Sequence, residues 1–134
     1  MPSIDAIEGM AHRDATTLRK ARVRTTEALL KRAATPADRQ ALAEVTGLAE
    51  VDLLAWAHRS DLLRIKGIGP EYALMLTKAG VETLKELRRR NPTNLTRLLG
   101  DVGAKMPSVR RVPTGEVVAS WILSAQTLDS VVQR

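Results

Sequence analysis

The chain has 134 residues, 44% of them hydrophobic, and carries 21 Lys and Arg against 15 Asp and Glu, a net charge of +6. This length predicts one domain, or two very small halves that share a core. The absence of cysteine excludes a disulfide framework and every thiolate metal site. No segment approaches the roughly 20 apolar residues of a membrane span, and the acidic N-terminus argues against a signal peptide. We therefore expect a cytoplasmic protein without a membrane role.

Helix signals run along the whole chain. Thr25 and Thr83 are predicted N-cap residues, and Pro36 and Pro92 each follow a capping residue and open another helix. Gly80 lies where a helix C-cap belongs. No segment alternates with the period of two that a half-buried strand requires. The pattern predicts an all-α fold.

The sequence also contains an internal similarity. When Ile7 is placed over Ile65, small and apolar residues agree at the spacing of one helix face, which indicates a shared packing pattern. The agreeing pairs include Ile7 and Ile65, Gly9 and Gly67, Ala15 and Ala73, Leu18 and Leu76, and Val23 and Val81.

Each half also ends with an apolar helix that carries one tryptophan, Trp56 or Trp121, which we interpret as a core anchor. We therefore predict two pseudo-repeated units packed as one compact folded unit. Residues 1–60 form the first, degenerate copy. Residues 61–134 form the second copy, which has an intact GIGP hairpin.

The GIGP stretch predicts a tight turn between two helices. Gly67 and Gly69 are expected to allow positive φ and the close approach of a ligand, and Ile68 between them is expected to anchor the turn in the core. Pro70 suits a first helical position. The unpaired amides of such a turn and of the helix after it, with the helix dipole, can hold a phosphate oxygen.

Through the pattern at Ile65–Val81, the sequence resembles the helix-hairpin-helix superfamily. The chain is also similar to a bacterial family of tandem helix-hairpin-helix domains of unknown function, over RIKGIGPEYA, Ala79–Leu95 and Val109–Pro113. The resemblance implies hairpin amides that bind DNA phosphates without reading base sequence, at times with a monovalent cation on hairpin carbonyls. In other members the hairpin is a packing element or a protein contact.

The leading prediction is a non-catalytic module that binds duplex DNA weakly and independently of sequence, with no metal and no cofactor. The chain has no cysteine nucleophile, no Ser-His-acid pattern and no Walker motif, so we predict no enzyme activity and no small-molecule substrate. Basic residues clustered on one surface are typical of polyanion binders. The candidate phosphate-binding residues are Lys66, Gly67, Ile68, Gly69, Pro70, Lys78, Arg13, Arg19, Lys20, Arg22, Arg24, Arg110 and Arg111.

Two features oppose this prediction. Glu71 follows the hairpin proline, where a carboxylate would repel a phosphate. In the first copy Ala11 replaces the second glycine, His12 the proline and Arg22 the capping glycine. One weakened hairpin predicts weak or one-sided binding, unless basic side chains replace the amides in contacting phosphates.

The alternative prediction is a structural or protein-interaction module, as an adaptor or a homodimer. Leu74 and Met75 are expected to lie partly on the outer side of their helix, where the other copy or a partner protein would cover them. The acidic segment 33–60 would form part of the same working surface. His12 and His58 have no acidic residue at a metal-ligand spacing and are interpreted as ordinary surface or boundary residues.

Overall fold

The computed structural model describes residues 2–134, which form eight α-helices after one short 3₁₀ turn at Ile4–Ala6. The helices are α1 His12–Lys20, α2 Thr26–Arg32, α3 Pro36–Thr46, α4 Glu50–Leu62, α5 Pro70–Lys78, α6 Leu84–Arg88, α7 Pro92–Ala104 and α8 Gly115–Thr127. These residues contain no strand, only an isolated antiparallel bridge between Ser3 and Thr25. The predicted all-α fold class is confirmed.

Side-chain caps fix where most of these helices begin. The side-chain oxygens of Thr25, Thr35, Thr83, Asn91 and Thr114 each accept a hydrogen bond from the amide three residues later, at 3.0–3.3 Å. A cap of this kind stabilises a helix by about 1 kcal/mol. The predicted capping roles are therefore confirmed, including those before the prolines that open α3 and α7.

Helices α1 and α5 have matching surroundings. Both contain nine residues, and they begin at His12 and Pro70, which coincide when the two halves of the sequence are superposed as above. The turn before each helix has one glycine with positive φ, 89° at Gly9 and 96° at Gly67. The two turns therefore share a glycine with positive φ at the same place in the alignment.

The core consists of two clusters joined by α4. Leu53 and Trp56 belong to the cluster formed by the first half of the chain, whereas Leu62 belongs to the cluster formed by the second half. Leu63 packs against both. Helix α4 thus continues through the expected boundary between residues 60 and 61, and both tryptophans are buried as predicted.

The C-terminal segment 128–134 crosses back from the second half to the first. Val132 is buried in the first cluster, and the Gln133 amide donates to the Ala34 carbonyl at 2.7 Å. Arg39, which is 4% exposed, donates from Nη2 to the Gln133 carbonyl at 2.5 Å. The segment therefore fastens α8 to the start of α3.

No helix within residues 2–134 combines the length and the apolar character that crossing a membrane requires.

Candidate nucleic-acid interface

The GIGP hairpin is anchored by the buried side chain of Ile68 and by a turn hydrogen bond from the Ile68 amide. Ile68 is 4% exposed, and its amide donates to the Ile65 carbonyl at 3.1 Å. Pro70 is the first residue of α5, where its missing N–H removes no helical hydrogen bond. The predicted roles of Ile68 as anchor and of Pro70 as helix start are confirmed.

The two hairpin glycines differ in conformation. Gly67 has a φ of 96°, in the region that favours glycine, whereas Gly69 is extended, with φ −93° and ψ −174°. A Cβ added at Gly69 would meet no atom within 4 Å. The expectation of positive φ at Gly69 is therefore wrong. Ala11, at the corresponding place in the first hairpin, has φ −64° and ψ 144°, so losing that glycine does not prevent the turn.

Four backbone amides at the hairpin are available to a ligand. Among residues 2–134, the amides of Gly67, Gly69, Glu71 and Tyr72 donate to no protein acceptor. Gly69 is the N-cap of α5 and has no side chain to cap the helix, so these donors stay open and the positive helix end adds to their attraction for an anion.

An open cavity of about 550 Å³ lies in front of these amides. The structure brings Arg110 and Arg111 into its lining from the loop before α8, and both are exposed. The Tyr72 hydroxyl donates to the Arg111 carbonyl at 3.0 Å, which ties this loop to the first turn of α5. Hairpin amides and two guanidinium groups therefore share one cavity.

Two carboxylates line the same cavity and reduce its positive potential. Glu71 comes from the start of α5, and Glu8 comes from the first hairpin, whose backbone is held by a hydrogen bond from Arg59 Nη1 to the Glu8 carbonyl. Both glutamates are exposed, so solvent screens them. The presence of Glu8 also shows that the two hairpins lie close together.

The two predicted lysines of the second copy lie at different distances from this cavity. Lys66 is exposed and directly precedes Gly67. Lys78 is the last residue of α5, about 12 Å along the helix from its first residue, and does not line the cavity. The structure thus groups Lys66 with the hairpin and separates Lys78 from it.

The basic residues of the first copy are distributed along α1 and the loop after it. Arg13 is the second residue of α1, beside the first hairpin, whereas Lys20, Arg22 and Arg24 lie at the far end, and all four are exposed. None of these four forms a salt bridge within residues 2–134. They are therefore free to meet a polyanion.

Arg19 differs from its neighbours because it has a partner. Its Nη2 donates to Asp5 Oδ2 at 2.5 Å, and this hydrogen bond lowers the pKa of the Asp5 carboxyl. The pairing offsets the charge that Arg19 would offer a phosphate. Arg22 has a positive φ of 67°, close to the 88° of Gly80 at the corresponding place after α5. Residues with a β-carbon rarely adopt this conformation, so the backbone of Arg22 after α1 is strained.

The outer side of α5, where Leu74 and Met75 were predicted to lie partly exposed, is less exposed than expected. Met75 is fully buried, and its Cε lies 3.4 Å from where a Cβ on Gly103 would stand, so this side chain packs against α7. The expectation that Met75 lies partly on the outer side of α5 is wrong, because α7 covers a second side of the helix. Leu74 is half-buried and packs against the second core cluster.

Trp121 supports the hairpin in a way that the sequence did not indicate. Its ring lies 5.3 Å from the Tyr72 ring, centroid to centroid, and its Nε1 would be 3.1 Å from a Cβ on Gly67. The residue is 1% exposed, and the indole N–H has no hydrogen-bond partner within residues 2–134. Position 67 thus favours glycine for two reasons: the positive φ, and the Trp121 ring, which a β-carbon would crowd.

Comparison with known proteins identifies a family. The family described as Domain of unknown function (DUF4332) matches over residues 8–128, and the chain therefore belongs to it. No curated protein and no solved structure matches the chain.

Proposed function

We propose that the chain is a non-catalytic tandem helix-hairpin-helix module that binds duplex DNA weakly, through backbone phosphates and without reading base sequence. The observation that carries the proposal is the cavity in which open hairpin amides meet Arg110 and Arg111. Amides at a helix start and guanidinium groups both suit phosphate oxygens. The proposal keeps the bacterial, cytoplasmic setting expected from the sequence.

The charge distribution supports a ligand larger than one phosphate. The hairpin cavity is locally balanced, but exposed cations without salt bridges continue along α1, at Arg13 and Lys20 and beyond. Each phosphate that such a cation neutralises releases counterions, which is the main source of affinity in binding without sequence readout. The matching turns before α1 and α5 would give the duplex two neighbouring points of contact.

A salt titration tests the proposal. A labelled duplex of roughly 20 base pairs is titrated with protein at about 50 and 200 mM salt, and binding is followed by fluorescence anisotropy. Three phosphate contacts would lower the affinity about 40-fold across this range, with no dependence on base sequence. Absence of binding at the lower salt concentration would refute the proposal.

Variants then test whether the hairpin cavity is the binding surface. Removing Arg110 and Arg111 together should reduce the salt slope by about two. The charge-matched control replaces Lys31 and Arg97, two exposed residues that do not line this cavity. Gly69→Ala adds a methyl group at a residue that lines the cavity, without changing charge, and should weaken binding while leaving the fold intact. Equal losses in the Arg110/Arg111 variant and the control would assign the DNA to another surface.

One observation favours a structural or protein-interaction role as the second candidate. Val45 is 70% exposed and Val51 is 71% exposed, at the facing ends of α3 and α4 within the acidic segment 33–60. Exposed apolar side chains with acidic neighbours suit a basic protein partner more than DNA. Sedimentation of the chain alone, compared with Val45→Asp, tests whether this surface mediates self-association.

A further inference from the structure

The imidazole of His58 is a buried polar group without a hydrogen-bond partner among residues 2–134. It lies on α4 and is 8% exposed, and neither Nδ1 nor Nε2 has a hydrogen-bond partner within residues 2–134. Buried polar atoms in proteins are nearly always paired, because an unpaired one costs free energy. A buried imidazole without a partner therefore indicates a ligand or a solvent molecule in the space that it faces.

His58 lines a cavity of about 550 Å³, distinct from the hairpin cavity, and on another side a small one of about 50 Å³ that it shares with Arg59 and Glu82. The walls of the larger cavity come from α4, from α6 with the cap before it, and from the C-terminal segment 128–134. The lining residues other than His58 are Thr83, Lys85, Glu86, Arg89, Ser130, Val132 and Arg134. The volume is typical of a site for a small molecule.

Three cations line this cavity, and the one carboxylate there already has a partner. Lys85, Arg89 and Arg134 are exposed, and none forms a salt bridge within residues 2–134. Glu86 accepts a hydrogen bond from the Thr83 hydroxyl at 3.0 Å, as part of the cap that begins α6. Glu86 offsets one of the three cations, so the side chains that line the cavity leave a surplus of about two positive charges.

The buried carboxylate of Asp61, which does not line the cavity, also has hydrogen-bond partners. Asp61 is 0% exposed and accepts hydrogen bonds from Arg64 Nη1 at 2.6 Å and from the Ser130 hydroxyl at 2.7 Å. Its charge is therefore matched by Arg64. The cations in the cavity are left for a ligand.

We propose that this cavity binds a small dianionic oxyanion, of the phosphate monoester class, between Lys85 and Arg89, with an imidazole N–H of His58 as the donor at its base. Three cations around a recess match a compact dianion better than the single charge on each phosphodiester of DNA. The inference does not depend on DNA binding, because no residue is shared with the hairpin cavity.

The environment of His58 gives the site a pH dependence. Burial lowers the pKa of His58 most, Arg134 and Arg39 lower it further, and Asp61 and Glu82 act in the opposite direction. His58 is therefore neutral at neutral pH and offers one N–H. A bound dianion would favour the imidazolium and raise its pKa, so by linkage the dianion binds more tightly as pH falls.

Sulfate is the probe, because it remains a tetrahedral dianion between about pH 5 and 8, where histidine titrates. The imidazole signals of His58 are followed by NMR during titration to about 20 mM sulfate, well above a Kd of about 1 mM, at constant ionic strength. The exposed His12 serves as a reference in the same sample. We expect sulfate to shift His58 alone, and affinity to rise about tenfold from pH 8 to pH 5, which corresponds to a pKa rise of about one.

Paired variants separate specific binding from general charge. Lys85→Ala with Arg89→Ala should weaken sulfate binding at least tenfold, whereas the control that replaces Lys31 and Arg97 should not. His58→Gln keeps a donor but cannot titrate, so it should bind sulfate with no pH dependence. An unshifted His58, equal shifts at His12, or an equal loss in the control would overturn the proposal.

A final arm distinguishes a free oxyanion from nucleic-acid phosphate. Saturating duplex DNA should leave the sulfate shift of His58 unchanged. Displacement of sulfate by the duplex would overturn the small-ligand site and extend the DNA surface to α6. Failure of DNA binding leaves the sulfate result unaffected, so the two proposals fail separately.

Discussion

Alanine at position 67 meets two obstacles in the structure that alanine at position 69 does not. Gly67 has a φ of 96°, and a Cβ there would lie 3.1 Å from Nε1 of Trp121. That ring is 1% exposed and enclosed in the second core cluster, so it has little room to move. At Gly69, φ is −93° and the Cβ position is empty to 4 Å.

These differences set the expected energies. Positive φ costs a residue with a β-carbon about 1–2 kcal/mol, and crowding a packed ring adds about 1 kcal/mol. We therefore expect Gly67→Ala to lower the free energy of unfolding by about 2–3 kcal/mol and the Tm by roughly 6–12 °C. Gly69→Ala should change stability by less than about 1 kcal/mol, because alanine restricts the unfolded chain but is less favourable than glycine at an N-cap position.

Urea unfolding followed by tryptophan fluorescence measures both variants, since Trp56 and Trp121 are buried and report on the two core clusters. Equal denaturant slopes for the wild type and the variants would show that the midpoints can be compared. A Gly67→Ala protein as stable as the wild type would refute the reasoning. The turn would then have another conformation, and the assignment of open amides to the hairpin would fall with it.

Two further changes follow from local strain and from burial. Arg22→Gly should raise the free energy of unfolding by about 1 kcal/mol, because glycine adopts the φ of 67° without strain. Arg22→Ala keeps the strain and should not raise it. Thermal unfolding of the two variants measures the difference. His58 has a lowered pKa in the folded protein, so the unfolded chain binds more protons and stability should fall as pH drops through about 6.5, the ordinary histidine value. His58→Gln should flatten that part of the profile of unfolding free energy against pH, and an unchanged slope would assign it to another group.

Features that depend on neighbouring residues were predictable from the sequence. The caps at Thr25 and Thr83 require only a hydroxyl three residues before an amide, and both form as predicted. Pro70 and Ile68 likewise have their expected roles, because a helix start and an apolar residue between two glycines are local signals. Of the two hairpin glycines only Gly67 has positive φ, and the ring of Trp121 behind it was not predictable from the sequence.

Features set by distant contacts were not predictable. Met75 has apolar residues on both sides of its helix, and only the position of α7, with Gly103 facing it, shows that the second side is covered. The loop that carries Arg111 lies at the hairpin because the Arg111 carbonyl accepts a hydrogen bond from the Tyr72 hydroxyl, which no spacing in the sequence indicates. His58 looked like an ordinary boundary residue because the walls of its cavity come from α6 and from the C-terminal segment.

The two cavities differ in charge balance, and this difference decides which kind of anion each one suits. In the hairpin cavity, Arg110 and Arg111 face Glu8 and Glu71, so one isolated dianion would gain little there. A duplex gains from many weak contacts, and the amides and the cations along α1 add to those of the cavity. Around His58, three cations face one carboxylate, a surplus of two positive charges, and both nitrogens of the buried imidazole are without a partner among residues 2–134. Concentrated charge in a recess favours a compact ligand, whereas balanced charge on an open surface favours an extended one.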